Sequence, residues 1–245
     1  MLSRLKRLIS TVAARNGYVV SPIWRLRDED MARHLRSMFA RLDVDCVVDV
    51  GANVGQYAKF LRNEVGFEGL IVSVEPIKAN VEILRSLAAQ DPHWRVEGVA
   101  LGASPGRLTI NVAKSTDLSS FLQPEHSNPT GFAHLSGAAR TEEVEVRVFD
   151  DLLVSIEQLR LGRIFLKLDT QGFDLEVLRG VGDTAPILAI QAEMSLIPIY
   201  EGMPDYLTAL RAFAERGFVP SAMFPVNHTA DGRLIEFDCL MVRSP

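Results

Sequence analysis

At residues 47–60, VVDVGANVGQYAKF, an apolar run interrupted by an acid leads straight into a glycine turn and an amphipathic helix, and no other feature limits the fold as much. The run CVVDV at 46–50 is apolar at nearly every position, so the strand it forms needs cover on both faces, as strands of parallel sheets have. Gly51 permits positive φ where the chain turns, and Gly55 lets the backbone approach a ligand or lets the strand pack close to its helix. A nucleotide-like ligand fits across the edge that such a turn creates.

The rest of the chain keeps this rhythm of short β-branched runs and longer helical patterns. A helix is expected over 56–65, a strand over 70–76 (LIVSVEP), a helix from Asn80 and a third strand within 95–102 (RVEGVALG). Residues 107–113 and 144–149 alternate as strands at the sheet's periphery do, while IFLKLD at 164–169 is apolar enough to lie centrally. A helix over 174–179, a strand over 187–194, a helix over 206–216 and two closing strands, GFVPSAMF and EFDCLMVR, paired antiparallel at the edge, complete a doubly wound α/β fold. The segment 115–143 is rich in Ser, Thr, Pro, Gly and His, has weak periodicity and is read as a lid.

Charge divides the chain unevenly. The 245 residues carry a net charge of -5, which argues against a nucleic-acid partner. Residues 1–41 nevertheless hold nine Lys or Arg against Asp28, Glu29 and Asp30, so this basic helical head (1–41) is chemically distinct from the main domain (42–245). Within it Leu2, Leu5, Leu8, Ile9 and Val12 form an apolar stripe flanked by Arg4, Arg7 and Arg15. Residues 1–20 are expected to dock on the domain, with weak association to a membrane surface as the rival. Cys46 and Cys239 lack CxxC partners and sit in apolar runs, as buried thiols in a reducing cytoplasm do. No apolar run is long enough to span a bilayer, and a cytoplasmic location is expected.

The turn itself speaks for one class of cofactor. Asn53 and Gln56 break the Gly-x-Gly-x-x-Gly pattern of dinucleotide sites, and Asp49 puts negative charge where a phosphate would be unwelcome and an ammonium welcome. S-adenosylmethionine has that ammonium and no phosphate. Glu75, some two dozen residues on, stands where a carboxylate accepts hydrogen bonds from both ribose hydroxyls.

DVGANVGQY, VEP, VALG at 99–102, SSF at 119–121 and above all LKLDTQGFDLEVLRG at 166–180 resemble the FkbM-type S-adenosylmethionine-dependent methyltransferases, over roughly residues 44–195. The resemblance implies a class I methyltransferase fold, Rossmann-like, with a seven-stranded sheet whose last strand is antiparallel, and usually O-methylation of sugars or other natural-product hydroxyls. It implies that Asp49, Gly51, Asn53 and Gly55 contact the cofactor's methionine end, Glu75 its ribose and the backbone around Ala100 its adenine. Asp174 stands where the family more often has Glu, a shorter acid of the same charge.

Asp169 is the residue expected to carry catalysis, because it closes a central strand on the edge where open α/β sheets bind ligands; its plainer reading is a helix cap. Lys167 shares its face by strand alternation and can tune the carboxylate. Glu193, ending the next strand in QAEMS, can pair with Asp169 to bind a divalent cation such as magnesium, or one of the two can orient the substrate. His126 and His134 in the lid, and His93, are weaker acid or base candidates. The reading is an S-adenosylmethionine-dependent O-methyltransferase acting on a hydroxyl of a carbohydrate or glycosylated metabolite. A nicotinamide-dependent oxidoreductase and a non-catalytic adenosine-cofactor-binding module are its rivals.

Overall fold

The computed structural model describes residues 26–125, 138–157, 162–183 and 186–244. The expected helix within residues 1–20, as well as His126 and His134, lies outside the described residues.

Seven strands form the main sheet: β1 (Cys46–Val50), β2 (Leu70–Val74), β3 (Trp94–Glu97), β7 (Ile164–Leu168), β8 (Ile187–Ser195), β9 (Phe218–His228) and β10 (Leu234–Arg243), in the spatial order β3-β2-β1-β7-β8-β10-β9. The pairs among β3, β2, β1, β7 and β8 are parallel, whereas β10 runs antiparallel to both β8 and β9. This is the doubly wound sheet with a reversed last strand that the sequence implied, and the chain order reverses its direction of growth between β1 and β7. Ligands of such sheets bind at that switch point, beyond the carboxyl ends of the strands.

β1 and β7 are buried along their whole length, so alternate residues enter opposite cores. Cys46, Val48 and Val50 join Ile164, Leu166 and Leu168 in one core, covered by α4 (Phe149–Ser155), α5 (Asp174–Arg179) and α6 (Tyr206–Glu215). Val47 joins Ile71, Phe165 and Ala189 in the other, covered by α1 (Leu26–Leu42), α2 (Gln56–Phe60) and α3 (Lys78–Ala88). Met31, Leu35 and Met38 fall one turn apart on α1, and its Phe39 ring stands edge-on to Phe67 and Phe165 at centroid distances of 5.3 and 5.0 Å. Each such side chain contributes about 1.5–3 kcal/mol through burial, so this part of the head is integral to the core. No helix of the described residues is long and apolar enough to cross a membrane.

Two expectations need correcting. The run 95–102 is two strands: β3 stays at the edge of the main sheet, and after Gly98 the chain leaves it as β4 (Ala100–Leu101). β4, β5 (Gly106–Ala113) and β6 (Ala138–Arg147) form a separate three-stranded sheet in the order β4-β6-β5, so residues 107–113 and 144–147 are not the periphery of the main sheet, and Phe149 already begins α4. Their half-exposed alternation is common to both arrangements, which is why the pattern alone could not tell them apart. The helix over 56–65 has the expected extent, but its second half, Leu61–Val65, is a π-helix closed by Gly66 at φ 74°.

Candidate active site

The site grows from the carboxyl ends of β2, β1, β7 and β8. Val50 gives way to Gly51 at φ 83°, and a Cβ placed there would lie 1.9 Å from the Asp169 carbonyl oxygen. Glycine is therefore required at this position so that the β1 turn can pass against the end of β7, and it ties the two functional loops together. Gly55, at φ 84°, is the N-cap of α2 and faces Leu84 and Trp94 rather than open space. Of the two roles expected for Gly55, close packing of the helix is the one the geometry supports.

At one end of the site stands Glu75, buried directly after β2. Its Oε2 accepts from the Asn53 backbone N–H at 2.9 Å, and its Oε1 accepts from the Ile77 N–H at 2.9 Å and from Asn80 Nδ2 at 3.3 Å. Asn53, at φ 47°, is held in turn: its Oδ1 accepts from Asn80 Nδ2 at 3.0 Å and from the Thr116 hydroxyl at 2.8 Å. Burial outweighs the donors around Glu75 and raises its pKa to about 7. All those donors are neutral, and the carboxylate keeps acceptor capacity beyond the bonds it makes.

The other end is built from charge. Parallel pairing sets Asp49 opposite Lys167 and Lys167 opposite Gln191, side by side across three strands. The Lys167 ammonium donates to Asp169 Oδ2 at 2.8 Å, lies 3.6 Å from Asp49 Oδ1 and sits over the Tyr57 ring, 4.9 Å from its centroid. Burial alone would lower the Lys167 pKa, but the Asp169 and Asp49 carboxylates outweigh it and hold the ammonium above its ordinary value. Asp49 is wholly buried, and neither of its oxygens has a hydrogen-bond partner among the described residues. Burial raises its pKa to about 6, with Lys167 opposing and Asp169 adding to the rise. Its structural work is to face Lys167 from below, and it does not line the cavity.

Asp169 is open to solvent on about a third of its side chain (35%), while Lys167 beneath it is not. Asp169 makes no helix-cap bond: the N-cap of α5 is Phe173, with no side-chain cap bond, and Asp174 instead closes the turn before the helix, accepting from the Thr170 N–H at 3.0 Å and from the Thr170 hydroxyl. Gln171 Nε2 donates to Asp169 Oδ1 and to Glu193 Oε2, each at 3.1 Å, so the two carboxylates expected to pair are brought together through an amide. Burial, then the nearby Asp169, raises Glu193 well above its ordinary range. Gln191 adds a further link, accepting from the Tyr57 hydroxyl at 2.7 Å and donating to Asp238 at 3.0 Å.

These groups enclose a cavity of about 430 Å³, lined among others by Gly51, Asn53, Glu75, Ala100, Asp169 and Glu193. Thr116, Asp117, Ser119 and Phe121, from the near part of the segment read as a lid, complete its wall. His93 donates from Nδ1 to the Glu68 carbonyl before β3, on the opposite edge of the sheet, and plays no part here. Gln171, Gln191, Tyr57 and Asp238 were missed in the sequence. Only Asp238 left a signal, an acid inside the apolar run of EFDCLMVR.

Lys167 is the one cationic side chain on the cavity wall among the described residues, and it is already paired. A pyrophosphate would find no free cation there, whereas a ligand bearing ammonium and sulfonium groups meets acids. Among the described residues no three His, Cys, Asp or Glu side chains gather as metal ligands.

The methyltransferase FkbM domain matches residues 49–220. The methyltransferase sdnD of Sordaria araneosa is 26% identical over 162 residues, 56% of this chain and 60% of that protein, so the chain spans under two thirds of that relative's length. Among solved structures the chain is similar to magnesium protoporphyrin IX methyltransferase from Synechocystis with bound SAM, at TM-score 0.48 and 9% identity over 90% of this chain and 81% of that one. It is also similar to the O-methyltransferase from Bacillus cereus in complex with SAH, at TM-score 0.46 and 14% identity over 98% and 91%.

Proposed function

The chain belongs to the FkbM methyltransferase family, and from that premise we propose that it transfers the methyl group of S-adenosylmethionine to a hydroxyl oxygen of a carbohydrate or glycosylated metabolite. The observation that carries this reading is a partly exposed carboxylate, Asp169, on a cavity wall whose one cation among the described residues is already paired. When bound, the cofactor supplies an electrophilic methyl group and so needs no help from the protein in making a leaving group.

What the chain must do is hold the acceptor oxygen in line, keep water out and take up the hydroxyl proton. Asp169 is the group placed to accept that proton, and the Lys167 ammonium steadies its charge from below. Glu75 holds the ribose, the turn at Gly51 and Asn53 runs along the methionine end, and the backbone at Ala100 borders the adenine. Thr116, Ser119 and Phe121 close the side of the cavity against solvent. The Gln171 amide and the Lys167 ammonium occupy the inner faces of Asp169 and Glu193 that a divalent cation would need, so the pair is read as base and orienting acid rather than metal clamp.

Calorimetry with S-adenosylmethionine, S-adenosylhomocysteine and the nicotinamide cofactors tests the donor, and labelled methyl transfer to a panel of glycans and glycosylated metabolites, with and without chelator, tests the reaction. Binding of the adenosylated sulfur compounds alone and chelator-resistant labelling are expected. Nicotinamide binding would restore the oxidoreductase reading, and cofactor binding with no labelling across a broad panel would favour a non-catalytic module.

A further inference from the structure

Gln171 is held in a conformation that its own chemistry does not favour. It is a non-glycine residue at φ 54°, followed by Gly172 at φ 93°, so the chain turns through two left-handed residues directly after Asp169 and Thr170. Such strain persists where the surroundings over-determine it. Here they do so from three sides. The Gln171 carbonyl accepts from the Ser120 hydroxyl at 2.7 Å, its Oε1 lies 3.1 Å from the Tyr200 hydroxyl, and its Nε2 faces Asp169 and Glu193. Ser120 and Tyr200 are each 1% exposed, so water does not compete for these bonds.

The orientation of the amide follows from its partners. The nitrogen points toward Asp169 and Glu193 and the oxygen toward Tyr200, the arrangement that suits ionised carboxylates, which only accept. Tyr200 shares its one proton between Gln171 Oε1 and the Leu118 carbonyl, which lies 2.8 Å away. An NH₂ group has one hydrogen for each carboxylate. A carboxyl group in its place would offer at most one, and an ammonium would compete with Lys167.

We propose that Gln171 is a positioning residue for methyl transfer: by bridging Asp169 and Glu193 it fixes the spacing of the two acids and aims the Asp169 carboxylate into the cavity, with Ser120 and Tyr200 clamping the bridge from behind. The inference rests on the proposed role of Asp169 and extends it to a residue that does not touch the reacting atoms. It also joins the segment around Leu118 and Ser120 to the catalytic edge through a single side chain.

The test uses the full chain and needs no acceptor. Gln171→Met keeps length and volume while removing both amide hydrogens. Carboxyl carbon-13 NMR follows the two titration steps of the Asp169–Glu193 pair, and calorimetry with S-adenosylhomocysteine reports the cofactor end. Lys167, Asp49, Asp174, Asp238 and Glu236, the charged groups that face the pair, are untouched by the substitution. The expected result is affinity within about twofold of the natural chain and titration steps raised by about one pH unit or more, because each charged form loses a donor. A role in folding alone would lower the melting temperature and leave the titration where it was, and that result in the folded variant overturns the proposal. Should Gln171→Met not fold, Tyr200→Phe decides. Freeing the amide oxygen should move the steps in the same direction by a smaller amount, and unmoved steps overturn the bridge. Failure of the natural chain to bind S-adenosylhomocysteine would count against the proposed function instead, with Gln171 still judged by titration.

Discussion

Around Glu75 a carboxylate is held by neutral donors, two backbone N–H groups and the Asn80 amide, whereas around Asp169 a carboxylate is held by the Lys167 ammonium, itself set between two acids. The two ends of the cavity lie two strands apart, about 10 Å, on the same sheet edge. Burial raises Glu75 to about 7 against the opposing pull of those neutral donors, and the carboxylate keeps acceptor capacity for hydroxyl partners. Charge fixes the other end: a buried ammonium and a wholly buried, unbonded Asp49 can be disturbed only at a large penalty. The contrast separates a surface for recognising a ligand from one for handling a proton.

The sharpest way to break the comparison is Asp169→Asn. An amide of nearly the same shape cannot accept the hydroxyl proton as a carboxylate does, so turnover should fall by about 10² to 10⁴ while affinity for S-adenosylhomocysteine is kept. Steady-state rates with any acceptor found in the labelling screen, set beside calorimetry, check both halves. Near-normal turnover would remove the base.

Lys167→Met acts on the frame beneath. It strips the buried Asp49 of its counter-charge, and breaking a buried pair from one side costs about 3–5 kcal/mol. Urea unfolding should show that loss, and the double change Lys167→Met with Asp49→Asn should recover a good part of it. A single variant as stable as the natural chain would mean that the charged end is no more locked than the neutral one.

Glu75→Ala sharpens the recognition end. Loss of hydrogen bonds to a charged group should weaken S-adenosylmethionine binding by about 1.5–3 kcal/mol with the fold intact, as calorimetry and melting temperature will show. Unchanged affinity would take Glu75 out of the site.

The comparison can also be sharpened through pH. Glu75 and Asp49 titrate at about 7 and about 6 when folded, above the ordinary values of 4.5 and 3.8, so the folded chain keeps their protons longer than the unfolded chain does. Their contribution to stability is therefore fully present below about pH 4 and is lost as pH rises through about 7. Urea midpoints followed across that window should fall with rising pH, and Asp49→Asn should flatten the slope. Cofactor affinity should move the opposite way, strengthening as Glu75 ionises.

Much of the frame was legible because it is local. The unbroken apolar runs of β1 and β7, the acid that ends each functional strand and the turn at Gly51 are patterns of neighbours along the chain, and they led to Glu75, Asp169 and Glu193. The small sheet was misplaced because half-exposed alternation does not say which partner a strand will choose. Asp49 was read as a ligand contact, yet it lies beneath the cavity, because strand alternation fixes a side chain's face but not what comes to cover it.

The sequence by itself thus determined that strands would be buried on both faces, that the chain would turn tightly after β1 and that acids would collect at one edge, since side-chain periodicity and glycine's freedom act over a few residues. The tertiary structure decided that Asp49 stands opposite Lys167 and Lys167 opposite Gln191, and that Gln171 reaches two carboxylates 2 and 22 residues away. Those neighbours are set by strand register and by the packing of distant loops, and neither leaves a trace in the spacing of residues along the chain.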